Sequence, residues 1–454
     1  MASILHSTGG LTEHSKVHLV SHCLDGSEII AKPIVSAEGV HQPCICPHCR
    51  RNISMKVAIQ NPSTLLRPSR PPPVLTSKEN GYVALMYGQA PAYFVGALVT
   101  GWSLQKNTTL PLSCRVLLCT DDVPNSFRSL LSSVWTVRSV NYINNASTWF
   151  YWDYHKSRFK QVFTKLRILK DFHGEFKKVI LLDLDLLVRG ETDSLFKLSA
   201  PAAMVRGQST LRHGEIVPMD CFYNSHRQVI GINCGVMLVE PNSEVFEHML
   251  EEVEDHLHPE HWPSHGPEQD YLSRYFNAFG CWTNMSCRYN YQCHLTQFGS
   301  LEWHTYNLPG HADVSIFHFS GRLVKPWALL LDLKIAHGFT YEELEKFIRE
   351  MPQRANESLK DYLSSGKPTN RIEAPIESET ALESHFCFGT GPAQKGSKRC
   401  YLDRYVHPSW TIADSECSIE WIRAFQEADG YLDGRVSTFL ETIWRRESIL
   451  RTEP

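Results

Sequence analysis

The sequence lacks a long hydrophobic run and a strong excess of either charge. No apolar stretch approaches the length of about 18 residues that a bilayer-spanning helix needs, and the first ten residues lack the charged and apolar regions of a signal peptide. The formal net charge is −4, so nothing attracts the whole chain to nucleic acid or to an anionic membrane. We therefore expect a cytoplasmic protein with no transmembrane segment and no nucleic-acid partner.

The chain also lacks internal repeats and regularly spaced cysteines. Its 14 cysteines are compatible with reduced thiols, although Cys281, Cys287 and Cys293 are close enough in sequence to pair in an oxidising compartment. With 454 residues, 42% of them hydrophobic, the chain can bury one large core and have residues left for extensions.

A short apolar run followed by two acidic residues is the first functional signal. Residues 179–182 are apolar and of strand length, and Asp183 and Asp185 follow. Because alternate side chains of a strand face the same side, the two carboxylates can converge at its tip. They need a counter-charge there, and a hard divalent cation is the usual one. The alternative interpretation is a strand end with solvated acids.

A second segment supplies what such a site would still need. His318 can be a third metal ligand, Gly321 allows the backbone a close approach, and Lys325 can contact a diphosphate. Pro326 and Trp327 follow directly. A buried histidine before a turn is the alternative for this segment alone, but the two segments together predict a metal–diphosphate site.

These two segments resemble the Asp-x-Asp and His-x-x-Gly-x-x-Lys-Pro-Trp motifs of glycosyltransferase family 8, the glycogenin-like and bacterial galactosyltransferase-like enzymes. The resemblance implies an α/β fold of the GT-A type, a Rossmann-like mixed sheet covered by helices. It also implies that Asp183, Asp185 and His318 bind Mn²⁺ or Mg²⁺, and that Gly321 and Lys325 bind the diphosphate of a nucleotide sugar.

The resemblance extends to other parts of the donor site. Residues 80–87 resemble the opening strand of the family, with Leu85 as a donor-binding candidate, and residues 93–104 resemble the helix after it. The family implies that Tyr93 stacks on the uracil ring, as aromatic side chains stack on bases elsewhere. Packing of Tyr93 on the sheet is the alternative.

Three more donor-site candidates come from the same resemblance. Lys165, on a predicted helix over 161–172, matches a basic residue near the diphosphate and the sugar. Asn233 and Gly235 match an Asn-x-Gly motif before an apolar strand, in which the asparagine faces sugar hydroxyls and the glycine lets the backbone come close. Without the family context these residues would be a solvated helix face and a simple turn.

Glu268, Gln269 and Asp270 match the segment that lies beneath the anomeric carbon in these retaining enzymes. Glycogenin has aspartate where this chain has Glu268, and His265 replaces an upstream aspartate. Retention requires either a carboxylate nucleophile or a front-face route in which the leaving diphosphate helps to deprotonate the acceptor. We predict the second route, with Glu268, Gln269 and Asp270 in supporting roles beside Lys325.

The pattern along the chain predicts three regions. Residues 1–75 form an N-terminal extension with a cysteine-rich knuckle and a proline-rich linker. Residues 80–335 form an α/β domain with a helix over 244–257, which the resemblance implies is of the GT-A type, and 336–454 form a C-terminal extension with helices over 341–351 and 436–449. The residues that could bind a structural Zn²⁺ in the first region are Cys23, Cys44, Cys46 and Cys49. The alternative is a reduced loop of thiols.

The resemblance to glycosyltransferase family 8 therefore implies a retaining, Mn²⁺-dependent hexosyltransferase that uses a nucleotide sugar such as UDP-glucose or UDP-galactose. The hydroxyl acceptor (glycan, protein or small molecule) is not predicted, and a homodimer is left open. A self-glucosylating primer is one alternative, although Tyr306 lies at a different spacing from the glycogenin acceptor. A sugar-nucleotide-binding scaffold and a haloacid-dehalogenase-type phosphatase are the others, and the phosphatases carry their Asp-x-Asp on the first strand.

Overall fold

The protein is described by a computed structural model that covers residues 19–22, 28–31, 34–36, 39–45, 52–56, 79–150, 160–206, 211–218, 231–259, 261, 266–278, 282–293, 313–320, 325–364 and 412–452. The chain divides into two compact units, Met1–Pro71 and Pro72–Pro454. The boundaries of the three predicted regions remain predictions.

Short antiparallel strands make up the described part of the first unit. They are β1 Leu19–His22, β2 Glu28–Ala31, β3 Ile34–Ser36, β4 Gly39–Ile45 and β5 Asn52–Lys56. Strands β1 and β2 pair with each other, and β4 pairs with β3 and β5. Of the zinc candidates, Cys44 lies in β4, whereas Cys23, Cys46 and Cys49 lie outside the described residues. The zinc site therefore stays a prediction.

The second unit is built on a mixed sheet with the strand order β13-β11-β12-β9-β6-β7-β8. Its strands, with those of a smaller sheet, are β6 Asn80–Met86, β7 Arg115–Cys119, β8 Thr136–Ser139, β9 Lys178–Leu182, β10 Leu186–Val188, β11 Ala202–Val205, β12 Ile232–Val239, β13 Thr283–Asn284, β14 Tyr291–Gln292 and β15 Ile316–His318. Strands β8, β7, β6 and β9 are parallel, and β12 is antiparallel to β9 and β11. The smaller sheet has the order β10-β15-β14.

The second unit also contains helices. They are α1 Pro91–Asn107, α2 Asn125–Leu131, α3 Arg167–Asp171, α4 Ser243–Glu254, α5 Pro267–Asn277, α6 Pro326–Leu329, α7 Tyr341–Ser364, α8 Ile412–Tyr431 and α9 Arg435–Thr452. Short 3₁₀ helices cover Leu112–Cys114, Thr148–Phe150, Val162–Leu166, Asp193–Lys197 and Cys287–Tyr289, and a π-helical turn covers Leu330–Ala336. In the described parts of the chain, no helix is long and apolar enough to cross a membrane.

The central strands β6, β7 and β12 are buried at every position, as in sheets that are covered on both faces. This confirms the predicted α/β class with a mixed sheet covered by helices. Helix α8 packs on α1 and on α7, and Trp421 of α8 belongs to the same core as the sheet. The C-terminal helices are thus part of the core of the second unit.

Two local predictions need correction. The helix predicted over 161–172 is a 3₁₀ helix, Val162–Leu166, followed by the five-residue helix α3. The Asn-x-Gly motif, expected just before an apolar strand, lies inside β12, so the alternative of a simple turn does not hold; there Gly235 O accepts a hydrogen bond of 2.9 Å from Asp183 N.

Candidate metal and donor site

The two acidic residues of the Asp-x-Asp motif lie between β9 and β10. Strand β9 ends at Leu182, and Asp183 N donates to Gly235 O of β12. Asp185 O accepts a hydrogen bond of 2.9 Å from Phe319 N, just after β15. The backbone of each acidic residue is therefore hydrogen-bonded to a different segment, which fixes the positions of the two Cα atoms from which the carboxylates extend.

His318 reaches the acidic pair through strand register. It is the last residue of β15 and lies opposite Leu186, the residue after Asp185. Its Nε2 atom lies 3.2 Å from Asp185 Oδ1 and 4.0 Å from Asp183 Oδ2. One ligand atom from each of the three residues lies within 4.8 Å of the others. His318, which lies 133 residues after Asp185 in the sequence, is thereby brought next to the acidic pair.

Each carboxylate of the pair holds one lysine. Lys165 Nζ lies 2.7 Å from Asp183 Oδ1 and 3.1 Å from Glu268 Oε1. Lys325 Nζ lies 2.8 Å from Asp185 Oδ2, and it also donates to the carbonyl oxygen of Phe319. These side chains are mostly buried, so the ion pairs lie in a medium of low dielectric constant and are strong.

The charges shift two pKa values in the directions that keep the site ionised. Burial raises the pKa of Asp185, but Lys325 and His318 outweigh it and hold that pKa well below its usual value. Burial lowers the pKa of Lys165, whereas Asp183 and Glu268 raise it to well above its usual value. Both groups therefore stay charged near neutral pH.

Helix α1 supports the acidic segment in a way that the sequence analysis missed. The Thr100 hydroxyl contacts the carbonyl oxygens of Leu184 and Leu186, at 3.2 and 3.1 Å. A Cβ atom on Gly96 would lie 2.5 Å from Leu184 O, so only glycine permits this approach of the helix. A row of small residues four positions apart on a helix next to an Asp-x-Asp segment is the signal that could have revealed it.

The predicted donor residues are distributed around the acidic pair. Tyr93 lies in the first turn of α1, half-buried, with its ring centroid 6.3 Å from that of Trp327 and 6.5 Å from that of Tyr87. Leu85 is buried in β6. Gly321 lies outside the described residues, so its contact with a diphosphate remains a prediction.

Asn233 and Gly235 face the metal-ligand candidate His318. A Cβ atom on Gly235 would lie 2.3 Å from His318 Cε1, so the close approach that this glycine allows is that of an imidazole. Asn233 Oδ1 accepts hydrogen bonds of 2.9 Å from Gly235 N and from Asn290 Nδ2. Asn290 in turn contacts His318 Nδ1 at 2.7 Å, and the sequence analysis did not find it.

The segment predicted to lie beneath the anomeric carbon begins helix α5. Glu268 is buried and bound to Lys165. Asp270 pairs with Arg206, and Gln269 is half-buried in the first turn of the helix. Glu268 and Asp183 thus share the ammonium group of Lys165, whereas Asp270 forms an ion pair with Arg206 instead.

The three converging residues fit a divalent cation. Two carboxylates and one imidazole are ligands that Mn²⁺ accepts, and carboxylates also suit Mg²⁺. The two ammonium groups of Lys165 and Lys325 already neutralise the pair in this structure, so a cation that binds here has to share these carboxylates with the two lysines. The ligand atoms lie within 4.8 Å of one another, a spacing that is compatible with binding to one cation.

One family model and several known proteins match this chain. The model of Glycosyl transferase family 8 matches residues 84–330. An uncharacterized protein, R707, of Acanthamoeba polyphaga mimivirus is 34% identical over 250 residues, which cover 54% of this chain and 82% of that protein. Inositol phosphorylceramide glucuronosyltransferase 1 of Arabidopsis thaliana is 29% identical over 205 residues, 45% of this chain. The match spans only 31% of the Arabidopsis protein.

Among solved structures, the glycosyltransferase GlyE of Streptococcus pneumoniae TIGR4 is similar at 20% identity. The similarity covers 55% of this chain and 56% of GlyE, with a TM-score of 0.35. At that score it carries no argument about this chain, whose fold rests on the sheet described above.

Proposed function

Since the chain belongs to glycosyl transferase family 8, we propose that it is a retaining hexosyltransferase of the glycogenin-like kind. It would transfer a hexose from a UDP-sugar, such as UDP-glucose or UDP-galactose, to a hydroxyl acceptor. The observation that carries the proposal is the convergence of Asp183, Asp185 and His318 on one point. Family membership leaves the phosphatase alternative without support.

Asp183, Asp185 and His318 would bind Mn²⁺ or Mg²⁺. When bound, such an ion stabilises the negative charge that develops on the leaving diphosphate. With Glu268, the site holds three carboxylates against the two ammonium groups of Lys165 and Lys325. A divalent cation alone would leave an excess of positive charge, which a diphosphate removes. We therefore expect cation and donor to bind interdependently.

Lys325 is proposed to contact the diphosphate. Its ammonium group already lies in one place, between Asp185, the carbonyl oxygen of Phe319 and the ring of Trp327 at 5.4 Å. Pro326 has a fixed φ and begins α6, which stiffens the chain directly after the lysine. A charge held in this way stabilises the leaving group without reorganisation.

The nucleoside and sugar would lie on the two sides of this centre. Tyr93 at the start of α1 is proposed to contact the uracil ring, and Leu85 of β6 is proposed to bind the donor. Lys165 of the 3₁₀ helix and Asn233 and Gly235 of β12 are proposed to contact the sugar. Gly321 is proposed for the diphosphate on the resemblance alone.

Retention is proposed to follow the front-face route. Glu268 is bound to Lys165, and this ion pair makes it a poor nucleophile because its negative charge is already compensated. It can still stabilise positive charge at the anomeric carbon, with Gln269 and Asp270 from the same helix turn in support. The acceptor proton would pass to the leaving diphosphate.

A screen of nucleotide sugars for hydrolysis tests the proposal, because hydrolysis requires no acceptor. We expect hydrolysis of a UDP-hexose that stops with a chelator and falls by orders of magnitude in Asp185→Asn, whereas Asp121→Asn, at an exposed position, has no effect. Tight donor binding in chelator, undiminished in Asp185→Asn, would contradict the proposal. Metal-dependent donor binding without any hydrolysis would favour the scaffold alternative.

A further inference from the structure

A chain of hydrogen bonds leads from a backbone amide of β12 to the imidazole of His318. Its links are Gly235 N to Asn233 Oδ1 at 2.9 Å, Asn290 Nδ2 to Asn233 Oδ1 at 2.9 Å, and Asn290 Oδ1 to His318 Nδ1 at 2.7 Å. Side-chain amides and imidazoles can each be oriented in two ways, so the direction of every link has to be derived.

The first link has only one direction. The backbone N–H of Gly235 is a donor, so the Asn233 atom at 2.9 Å from it must be the acceptor oxygen Oδ1. A flipped Asn233 amide would place two donors against each other. The orientation of Asn233 is therefore set by the strand backbone.

The remaining links follow from the first. Since Asn233 Oδ1 only accepts, the Asn290 atom that contacts it must be the NH₂ group, which also lies 3.3 Å from Asn233 O. The oxygen of Asn290 then faces His318, so His318 Nδ1 must carry a proton and donate it. Nε2 faces Asp183 and Asp185; it can donate to Asp185 Oδ1 only while it also carries a proton, which it must lose to bind a metal.

We infer that Asn290 is a positioning residue that keeps the proton of His318 on Nδ1 and so presents Nε2 as the ligand atom. This inference rests on the proposed function, because the ligand role of His318 belongs to it. Histidine ligands commonly donate their second N–H to a carbonyl or carboxylate group, which fixes the tautomer and the ring orientation. Here a side-chain amide takes that place, and a backbone amide two links away orients it.

Burial makes this chain necessary. Asn290 is 0% exposed, Asn233 6% and His318 3%, so solvent cannot replace a lost partner. Removing the Asn290 oxygen leaves the N–H of His318 without an acceptor, and the alternative tautomer then becomes competitive. In that tautomer Nε2 carries the proton and cannot bind a metal.

The protonation of His318 can be measured on the unaltered protein without metal. The experiment is ¹⁵N NMR of the full chain with labelled histidine, in which His318→Gln identifies the His318 signals among those of 22 histidines. We expect Nδ1 of His318 to be protonated also in the neutral imidazole, in which Nε2 is the nitrogen without a proton. An unprotonated Nδ1 would overturn the inference, whether or not the protein binds metal.

The consequence for the ligand is measured by calorimetry with Mn²⁺ alone. We expect Asn290→Leu to weaken Mn²⁺ binding by about 10- to 100-fold, as is typical when such outer partners are removed. The matched control is Asn284→Leu, which removes an equally buried amide that is bonded to Leu211 O and Arg212 O and should leave the affinity unchanged. Equal Mn²⁺ affinity in Asn290→Leu and the unaltered protein would overturn the inference.

Asn233 provides a second pair of variants, which do not depend on the folding of Asn290→Leu. Asn233→Asp keeps an acceptor for Gly235 N and Asn290 Nδ2 and should retain Mn²⁺ affinity within a few-fold, whereas Asn233→Leu frees Asn290 to flip and should weaken it. Losses in Asn233→Leu and Asn290→Leu should not add in the double variant, because both act through one chain. Additive losses would overturn the inference. If the unaltered protein binds no Mn²⁺, the proposed function fails, while the NMR result still decides the inference.

Discussion

At the scale of single residues, Lys325 is paired with Asp185, a carboxylate that is also proposed to bind the metal. It lies 2.8 Å from Asp185 Oδ2, so it competes with a cation before the donor binds and is available to the diphosphate afterwards. The same lysine also lies over the ring of Trp327. If Lys325 had only a packing role, this cation–π contact would be its only contribution.

Lys325→Ala separates these two roles. We expect turnover in donor hydrolysis to fall by about 10²-fold, because a preorganised charge is lost, while Mn²⁺ affinity is unchanged or tighter because a competing cation is gone. The control is Lys334→Ala, since Lys334 lies over the ring of Tyr341 at 4.3 Å and contacts no site carboxylate. Near-normal turnover with a small loss of thermal stability would instead assign Lys325 to packing.

Glu252 of α4 is a buried carboxylate outside the site whose ionisation stabilises the fold. Burial raises its pKa, but a hydrogen bond with His258 and the charge of Arg274 lower it from 4.5 to about 2. Because the folded pKa is the lower one, the stabilisation is present above the unfolded pKa and is lost as the pH falls through about 2.

Glu252→Gln should therefore lower the free energy of unfolding by about 3 kcal/mol at neutral pH. Chemical denaturation at several pH values measures this, and the difference from the unaltered protein should shrink between pH 4.5 and about 2. Glu247→Gln, on the same helix with a half-exposed side chain paired to Lys170, should change little at any pH. A difference that is independent of pH would contradict the assignment.

Part of the site was predictable at this scale and part was not. Asp183, Asp185 and His318 lie in short contiguous motifs, and motifs of that kind can be read along the chain. Asn290 lies 28 residues from His318 and in no such motif, and its role depends on a side-chain contact that strand pairing creates. A sequence alone does not give that contact.

At the scale of elements, α1 and the acidic segment are held together by a close approach at Gly96. Gly96→Ala would place a Cβ atom 2.5 Å from Leu184 O, so the helix or the segment must move. We expect a loss of about 1–3 kcal/mol in stability and weaker Mn²⁺ binding, measured by thermal unfolding and calorimetry. Gly430→Ala in α8 has no atom within 4 Å of its Cβ and should be neutral or slightly stabilising. Normal Mn²⁺ binding in Gly96→Ala would show that the contact between α1 and the acidic segment does not affect the metal site.

Element prediction succeeded where apolar runs or amphipathic periods are clear. The helix predicted over 244–257 is α4, Ser243–Glu254, and the one predicted over 436–449 is α9, Arg435–Thr452. Helix α8 was not predicted. It buries polar residues such as Asp414, Ser418 and Asp429 along with its apolar ones, and this weakens the periodic pattern by which a helix is recognised.

At the scale of the whole molecule, the C-terminal helices complete the core beside the site. Trp421 of α8 is 0% exposed, and its ring centroid lies 6.1 Å from that of Trp327. Trp327 in turn follows the lysine of the site and contacts Tyr93. Packing of α8 is thus connected to the donor residues through two aromatic contacts.

Trp421→Ala should cost about 3–5 kcal/mol, as large buried aromatic residues do, and should weaken donor binding as well as stability. Thermal unfolding and calorimetry with a UDP-sugar measure the two effects. Trp149→Ala, at a position that is 61% exposed, should change stability by less than about 0.5 kcal/mol. Unchanged donor binding in a folded Trp421→Ala protein would show that α8 only stabilises the fold.

The first unit is proposed to be dispensable for chemistry. A protein that begins at Ser77 lacks residues 1–71 and the linker but retains the sheet and the site. It should hydrolyse the donor at a rate comparable to that of the full chain. A folded protein of this kind without hydrolysis would place the boundary elsewhere.

Strand register also determines which changes in chain length the protein tolerates. His318 faces Asp185 because β15 pairs with β10 in one register, Leu186 opposite His318 and Val188 opposite Ile316. An insertion or deletion of one residue within either three-residue strand would turn the imidazole to the opposite side of the sheet. Loops between the motifs can therefore change in length, whereas the register of these two strands must stay constant. Insertion or deletion of a single codon within either strand would abolish the metal site although all three ligand residues are still present.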